Sequence, residues 1–220
     1  MFTNVYIDGF NLYYGAIKGK EFHWLDLSKM CGMLLPGHNI GIIRYFTAIV
    51  SGRSDDPDKP IRQQIYLRAL ATLPNVTVSL GKFTSHKIMM PLVRPLEGGA
   101  KLVKVWKTEE KGSDVNIATN LLHDAHCGRF EIAVVISNDS DLLEPIKIAR
   151  RELGKKIGII NPRGQQPSRA LMQQSDFIRQ LRDGVLRESQ FPETLTDSSG
   201  EFSNPFKLRP RATKKSDGPV

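Results

Sequence analysis

The sequence predicts an α/β fold in which a mainly parallel sheet lies between two layers of helices. Short apolar segments typical of buried strands alternate along the chain with longer segments that have helical spacing. This alternation indicates βαβ units. In addition, acidic residues directly follow two of the apolar segments: Asp8 after "NVYI", and Asp139 and Asp141 after "VVISN". Ligands of open α/β sheets bind beyond the carboxyl ends of strands, so the pattern also indicates a site.

The first half of the chain contains three predicted strands and three predicted helices. Pro74 and Pro36 stop two of the helices, and the polar segment "SGRSDDPDKP" separates a strand from the helix after it. In chain order, the predictions are strand 4–8, helix 11–18, helix 25–35, strand 40–50, helix 61–73 and strand 76–83.

For the second half of the chain, the sequence predicts a loop or hairpin over 84–100, a strand over 101–107 and a polar turn, "KTEEKGS". The remaining elements are helix 113–125 capped by Ser113, strand 131–137, helix 139–153 ended by Gly154, and strand 155–161. After Glu188 the composition turns to Ser, Pro, Thr, Gly and charged residues. This predicts one domain over residues 1–187 and a disordered C-terminal tail over 188–220.

The chain is basic, with 31 Lys and Arg against 23 Asp and Glu and a net charge of +8. Acids and bases balance after Arg187, so the charge belongs to the predicted domain and favours an anionic partner such as nucleic acid. The two cysteines have no CxxC spacing, which is typical of a reducing cytoplasm. The N-terminus predicts no signal peptide, and the longest apolar run is too short for a membrane span.

Four carboxylates are expected near one edge of the sheet: Asp8, Asp139 and Asp141 after strands, and Asp114 at the start of a helix. Close carboxylates repel one another, and a divalent cation would neutralise them. Oxygen-only ligands suit Mg²⁺ or Mn²⁺, and no His or Cys cluster accompanies these acids. A purely structural explanation also exists, because Asp139 can cap a helix and Asp114 can complement a helix dipole.

Three motifs, "VYIDGFNLYYG", "VWKTEEKGSDVNIATNLL" and "VVISNDSDLLEPI", resemble the NYN domain family of PIN-like nucleases, in particular its LabA-like branch. The resemblance covers roughly residues 2 to 180. It implies a PIN-like Rossmannoid sheet and metal-dependent cleavage of RNA.

The resemblance also implies roles for individual residues. Asp8, Asp114 and Asp139 would hold the metal, Asp141 would be an outer carboxylate, and Asn11, Ser137 and Asn138 would lie beside the acidic pocket. Many relatives are expected to carry an acid at the position of Asn120. If that acid binds a second ion, this chain is expected to hold only one ion tightly.

Substrate contacts are expected from basic and aromatic residues near the same crevice. Lys107, Lys111, Arg53 and Lys82 would contact phosphates. Tyr13 is the predicted exposed stacking residue for single-stranded or structured RNA, whereas Phe10 and Tyr14 have the spacing of core residues.

An alternative hypothesis keeps the predicted fold but not the catalytic activity. In that case the protein would be a non-catalytic regulatory module that binds RNA or a protein. A phosphatase that uses the acid of the first strand as a nucleophile would need another acid at position 10, where this chain has Phe10. Symmetric association is common, so a homodimer is compatible with either function.

Overall fold

The computed structural model describes residues 1–52, 54–94, 99, 101–162, 164 and 166–206. Its strands are β1 (Phe2–Asp8), β2 (Asn39–Ala48), β3 (Val76–Pro91), β4 (Leu102–Lys111), β5 (Ile132–Ile136), β6 (Lys156–Asn161), β7 (Phe177–Gln180), β8 (Thr194–Asp197) and β9 (Gly200–Ser203). Its helices are α1 (Gly9–Leu12), α2 (Leu27–Leu34), α3 (Lys59–Ala71), α4 (Ser113–His126), α5 (Leu143–Arg151), α6 (Arg169–Gln173) and α7 (Asp183–Glu188). A π-helical turn, Tyr13–Ile17, continues α1, and a 3₁₀ turn, Ser140–Leu142, precedes α5.

The predicted α/β sandwich is confirmed. Seven strands form one sheet in the order β4-β3-β2-β1-β5-β6-β7, and every pairing is parallel except that of β3 with β4. The chain begins at the central strand β1, builds outward through β2 and β3, and later returns to the other side of β1 with β5. The strand order therefore reverses between β1 and β5, where ligands of such sheets bind.

Apolar residues on both faces of the central strands explain the layered packing. In β1, Val5 and Ile7 face one buried cluster, which also contains Trp24, whereas Tyr6 faces a second cluster with Leu121. Successive side chains of a strand point to opposite faces. A strand buried on both faces must therefore be apolar throughout, as β5 is.

A buried network of charges attaches α4 to the sheet. The carboxylate of Asp124 is fully buried and accepts hydrogen bonds from Arg44 Nε (2.7 Å) and Nη2 (3.0 Å), Arg129 Nη1 (2.9 Å) and the Tyr6 hydroxyl (2.8 Å). Burial alone would raise the pKa of Asp124, but these bonds hold it below its ordinary value. Tyr6 and Arg44 lie on β1 and β2, so the network fixes the helix against the centre of the sheet.

The region 76–113 departs from the prediction. Residue 83 does not end β3, which continues to Pro91 and pairs with β4 from Lys82↔Lys111 to Pro91↔Leu102. The expected polar turn is mostly the end of β4, and Ser113 is the first residue of α4 rather than its cap. Gly112 precedes the helix at φ 104°, a conformation that favours glycine.

The two-stranded ribbon of residues 82–91 and 102–111, here called the arm, is built beyond the main sheet. The last residue of β3 to pair with β2 is Gly81, opposite Ala48. Because β3 runs parallel to β1 and β2, the arm leaves the sheet at the carboxyl edge, the edge at which Asp8 ends β1.

Residues 188–206 are structured, which corrects the prediction of a disordered tail for this part of the chain. Strands β8 and β9 form an antiparallel hairpin. Phe191 and Phe202 pack on Trp24, whose indole N–H donates to the carbonyl of Pro192 at 2.8 Å. A few aromatic anchors thus order a segment whose average composition is polar. Residues 207–220 lie outside the described part of the chain.

The sequence patterns did not predict α6, β7 and α7, which are short and only partly buried. Among the described helices, none has both the length and the apolar character needed to cross a membrane.

Replacing Asp124 with Asn should destabilise the protein by about 3–5 kcal/mol, because Arg44 would keep its charge in a largely buried position without a full counter-charge. Urea unfolding measures this. Asp183→Asn is the matched control, since Asp183 forms an exposed ion pair with Lys20, and its loss should cost less than about 1 kcal/mol. Equal midpoints for the two variants would contradict a structural role of the network.

Candidate metal centre

Neighbouring parallel strands bring two of the predicted acids together. Asp8 is the last residue of β1, and Asp139 follows β5 by three residues. These strands pair in register from Thr3↔Ile132 to Ile7↔Ile136, so both carboxylates emerge at the point where the strand order reverses. The argument from strand ends therefore placed both residues correctly.

Three hydrogen bonds hold the buried carboxylate of Asp8. Asn11 donates its backbone N–H to Oδ1 at 2.9 Å and its side-chain amide to Oδ2 at 2.7 Å. The Ser137 hydroxyl donates to Oδ2 at 3.0 Å. Asp8 is also the N-cap of α1. Asn11 and Ser137 thus fix the orientation of the acid.

Glycine at position 9 is required by close packing around Asp8. A Cβ atom there would lie 2.5 Å from the Phe46 carbonyl oxygen and 2.9 Å from the Tyr45 ring and hydroxyl. Any side chain would push the strand end away from β2. Tyr45 is buried beside the acid, and its burial, together with the charge of Asp8, raises the pKa of its phenol.

The turn after β5 orders the other two acids. The N–H of Asp139 donates to Ser137 Oγ at 3.0 Å, and the N–H of Asp141 donates to Asp139 Oδ1 at 3.0 Å. Asp139 therefore caps the 3₁₀ turn before α5, as the structural explanation predicted. This capping role does not remove Asp139 from the acidic site, because its carboxylate still has an oxygen within 4.8 Å of one from Asp8.

Asp114 joins them from the first turn of α4. One carboxylate oxygen from each of Asp8, Asp114 and Asp139 lies within 4.8 Å of the other two. This acidic triad contains no His or Cys, and its hard oxygen donors suit Mg²⁺ or Mn²⁺. Within the described residues it is the one cluster of three or more candidate ligands close enough to share an ion.

The electrostatics of the triad favour a cation. Partial burial of Asp114, followed by the negative charges of Asp8 and Asp139 and then of Glu110 and Asp141, raises its pKa from 3.8 to about 6. A divalent ion between the oxygens would reverse this effect, because it favours the ionised forms.

The remaining predicted site residues have distinct positions. Asp141 is exposed and outside the triad, although its charge acts on Asp114. Asn138 connects the site to its surroundings: its N–H donates to Asn11 Oδ1 at 3.4 Å, and its Oδ1 accepts from the Ser168 N–H at 2.7 Å.

Lys107 and Lys111 lie on β4 of the arm, where both form ion pairs with Glu109, at 2.5 Å and 3.1 Å. These pairs lower the pKa of Glu109 to about 2, and the hydrogen bond from Lys107 makes the largest contribution. Two lysines and one glutamate leave this group with a net charge of +1. Arg53 lies outside the described residues.

The prediction for the tyrosines is wrong in its assignment of exposure. Tyr13 is half-buried, and Tyr14 is the exposed ring. The sequence argument assumed the spacing of an α-helix, but residues 13–17 form a π-helical turn, whose wider spacing rotates the side chains.

Sequence reasoning missed two neighbours of the triad. Glu110 accepts hydrogen bonds at Oε1 from the N–H (3.1 Å) and hydroxyl (2.9 Å) of Ser113, and so positions the start of α4. Its place three residues before Ser113 is the only signal for this role. Tyr45 lies inside a strand whose pattern indicates a core residue, and nothing in the sequence marks its proximity to Asp8.

A cavity of about 720 Å³ is lined by Gly9 and Phe10, which directly follow Asp8, by Tyr45, on whose phenol the charge of Asp8 acts, and by many other aromatic side chains. Phe10, Tyr13, Tyr45, Tyr66, Phe83, Phe206 and His23 line it, together with Lys59 and Arg62. Arg62 is paired with Asp56. The stacked rings of His23 and Phe206, 5.0 Å apart, bring the C-terminal segment into the wall. Such a volume is typical of sites for small molecules or single residues of a polymer.

The comparisons with known proteins give a family, a relative with a named activity and a solved structure of similar fold. The model of the NYN domain matches residues 2–181. The chain is 29% identical to 6-hydroxy-3-succinoylpyridine 3-monooxygenase HspA of Pseudomonas putida, in an alignment covering 88% of this chain and 71% of that protein. A solved protein of unknown function from Vibrio parahaemolyticus has a TM-score of 0.53 at 16% identity, covering 83% of this chain and 93% of its own, which shows a shared fold alone.

Removing the charge of Asp114 should stabilise the metal-free protein. Its folded-state pKa of about 6 exceeds the ordinary 3.8, so the folded state binds more protons between these values and loses stability as pH rises from about 4 to about 6. Because the side chain is more than one-third exposed, solvent screening reduces the effect to about 1 kcal/mol. In EDTA, Asp114→Asn should therefore melt about 2–4 °C higher than wild type above pH 6.

Below about pH 4, wild type and Asp114→Asn should melt together. Glu144→Gln is a matched control, since Glu144 lies exposed in the first turn of α5 and pairs with Lys147 at 3.1 Å. A stabilising effect of Asp114→Asn that does not change with pH would show that the acids do not repel one another.

Proposed function

This chain belongs to the NYN domain family, and from that membership and the acidic triad we propose that it is a divalent-metal-dependent ribonuclease. The observation that carries the proposal is the meeting of Asp8, Asp114 and Asp139 at the reversal point of the sheet. Families of this kind are nucleases that use divalent ions, and the all-oxygen donor set fits such an ion.

The residues of the chain would divide the work as follows. Asp8, Asp114 and Asp139 would hold Mg²⁺ or Mn²⁺, which supplies an activated water and charge stabilisation at the phosphodiester. Asn11 and Ser137 would keep Asp8 oriented toward the ion through the hydrogen bonds described above. Asp141, exposed at the rim, is the candidate to accept a proton from water, and Lys107 and Lys111 are candidates for phosphate contacts.

A second candidate function is oxidation of a small aromatic compound. The 29% identical relative is named a monooxygenase of a hydroxypyridine, and the aromatic cavity beside the triad has the size for such a ring. That reaction would need O₂ and a two-electron reductant. The triad has no imidazole ligand, whereas non-haem iron oxygenases typically combine two His with one carboxylate. The donor set therefore favours hydrolysis.

The test is cleavage of labelled single-stranded RNA with Mn²⁺, with Mg²⁺ and with EDTA. Wild type should cleave only with metal, and Asp8→Asn and Asp139→Asn should each lower the rate at least about 100-fold because each removes a charged ligand. Asp183→Asn, an exposed acid paired with Lys20, should cleave at the wild-type rate.

The same proteins assayed for O₂ uptake with 6-hydroxy-3-succinoylpyridine and a reduced nicotinamide test the second candidate. Uptake without RNA cleavage would replace the nuclease by an oxygenase. RNA binding without either reaction would leave a non-catalytic binding module.

A further inference from the structure

The arm has one face that continues the wall of the aromatic cavity. Phe83 and Thr108 line the cavity, and both belong to the arm. Residues directly opposite in an antiparallel pair share a face, as do residues two apart along a strand. The same face therefore carries Ser85 beside Thr108, then Lys87 opposite Trp106, then Met89 opposite Lys104. We call this surface the track.

Trp106 is the notable residue of the track, because 68% of its surface is exposed. The other tryptophan, Trp24, is 1% exposed and packs in the core. Lys87 Nζ lies 4.8 Å from the centre of the Trp106 ring. An exposed indole beside a cation offers a stacking surface and a phosphate contact at one place, which is the combination that single-stranded nucleic acids use.

The charge of the arm fits the same partner. Residues 82–91 and 102–111 contain five lysines and two glutamates. Glu109 pairs with Lys107 and Lys111 on the face opposite the track. Glu110 lies on the track face at the base of the arm, opposite Phe83, where it accepts hydrogen bonds from Ser113. Within the described part of the chain, Lys87 and Lys104 have no carboxylate partner, so the track is positive where its aromatic ring is exposed.

The connection at the base of the arm brings the track to the triad. Strand β4 ends at Lys111, Gly112 makes the turn, and Asp114 follows in the first turn of α4. At the other strand, Phe83 contacts Phe10 edge to face, with ring centres 5.7 Å apart, and Phe10 lies two residues after Asp8. A strand lying on the track would thus reach both the cavity and the acids.

We propose that the track binds single-stranded RNA, with one base stacked on Trp106 and the strand continuing past Phe83 into the aromatic cavity, where an unpaired base is held beside the acidic triad. This inference deepens the proposed function and rests on it for the identity of the polymer. It assigns a preference for unpaired RNA, because stacking on Trp106 and entry into the cavity both require bases free of a duplex.

Binding can be measured separately from cleavage by working in EDTA. A short fluorescein-labelled oligouridine should bind wild type, and Trp106→Ala should weaken binding about 5- to 100-fold, the range for loss of one base–aromatic stack. Trp106→Phe should restore most of the affinity. Met90→Ala is the matched control, since Met90 is an exposed apolar residue on the opposite face of the arm, and it should bind like wild type.

The intrinsic fluorescence of the protein gives a second readout. With Trp24 buried, quenching by unlabelled oligouridine should come from Trp106 and disappear in Trp106→Ala. A blunt-ended RNA duplex of the same length as the oligouridine should quench the fluorescence of Trp106 far less. Melting temperatures of the variants should equal that of wild type, because the substituted side chain is exposed.

The outcomes separate this inference from the proposed function. Loss of binding in Trp106→Ala with rescue by Trp106→Phe supports the track, even if wild type fails to cleave RNA with Mn²⁺, a failure that would count against the nuclease alone. Unchanged binding in Trp106→Ala, with cleavage that still depends on Asp139, overturns the track and leaves the nuclease. A change of oligomeric mass in Trp106→Ala, measured by sedimentation without RNA, also overturns it, since the exposed face would then serve a second copy of the chain.

Discussion

Repulsion among three carboxylates is the constraint on which the organisation of this molecule depends. Asp8, Asp114 and Asp139 come from three different elements, yet each places an oxygen within 4.8 Å of the others. In a partly buried setting each such pair costs about 1 to a few kcal/mol. The fold opposes this repulsion with rigid supports: Asp8 has three hydrogen-bond donors, and Asp139 is fixed by Ser137 in a capped turn.

Helix α4 combines a destabilising end with a stabilising one. Its first turn carries Asp114 into the acidic cluster, where repulsion raises the pKa of that carboxyl. Ten residues later, Asp124 is buried between Arg44 and Arg129 with its pKa lowered. The ion pair of Asp124 with Arg44 anchors the helix to β2, and the hydrogen bond from Tyr6 anchors it to β1, so the carboxylate of Asp114 cannot move away from the other two. A helix fixed only by its apolar face could rotate or shift enough to relieve the repulsion.

The sequence predicted the features that depend on local patterns. Strands β1 and β5 are continuous apolar segments, and the rule that ligands bind at strand ends placed Asp8 and Asp139 at one edge. The misses required information from distant parts of the chain. Residues 188–206 are polar on average, and their order depends on Phe191 and Phe202 meeting Trp24. Exposure of Tyr13 and Tyr14 was misjudged because a π-helical turn cannot be read from apolar spacing. The length of the arm was missed because its residues alternate without burying a face.

The position of the arm explains why one edge of the sheet carries so many polar and aromatic features at once. Strand β3 leaves the sheet where β2 ends, at the carboxyl edge, and β4 returns to that same edge before α4 begins. Glycines at positions 81 and 112 allow the two strands of the arm to approach closely at its base. A Cβ on Gly81 would lie 2.8 Å from the carbonyl oxygen of Lys111, and Gly112 adopts a left-handed conformation. Any bulkier residue at Gly81 would displace the end of β4, and with it the turn that carries Asp114. The close approach of β3 and β4 at the base of the arm therefore fixes both the direction of the arm and the position of Asp114. A ligand bound on the arm is consequently held at a fixed position relative to the acidic triad.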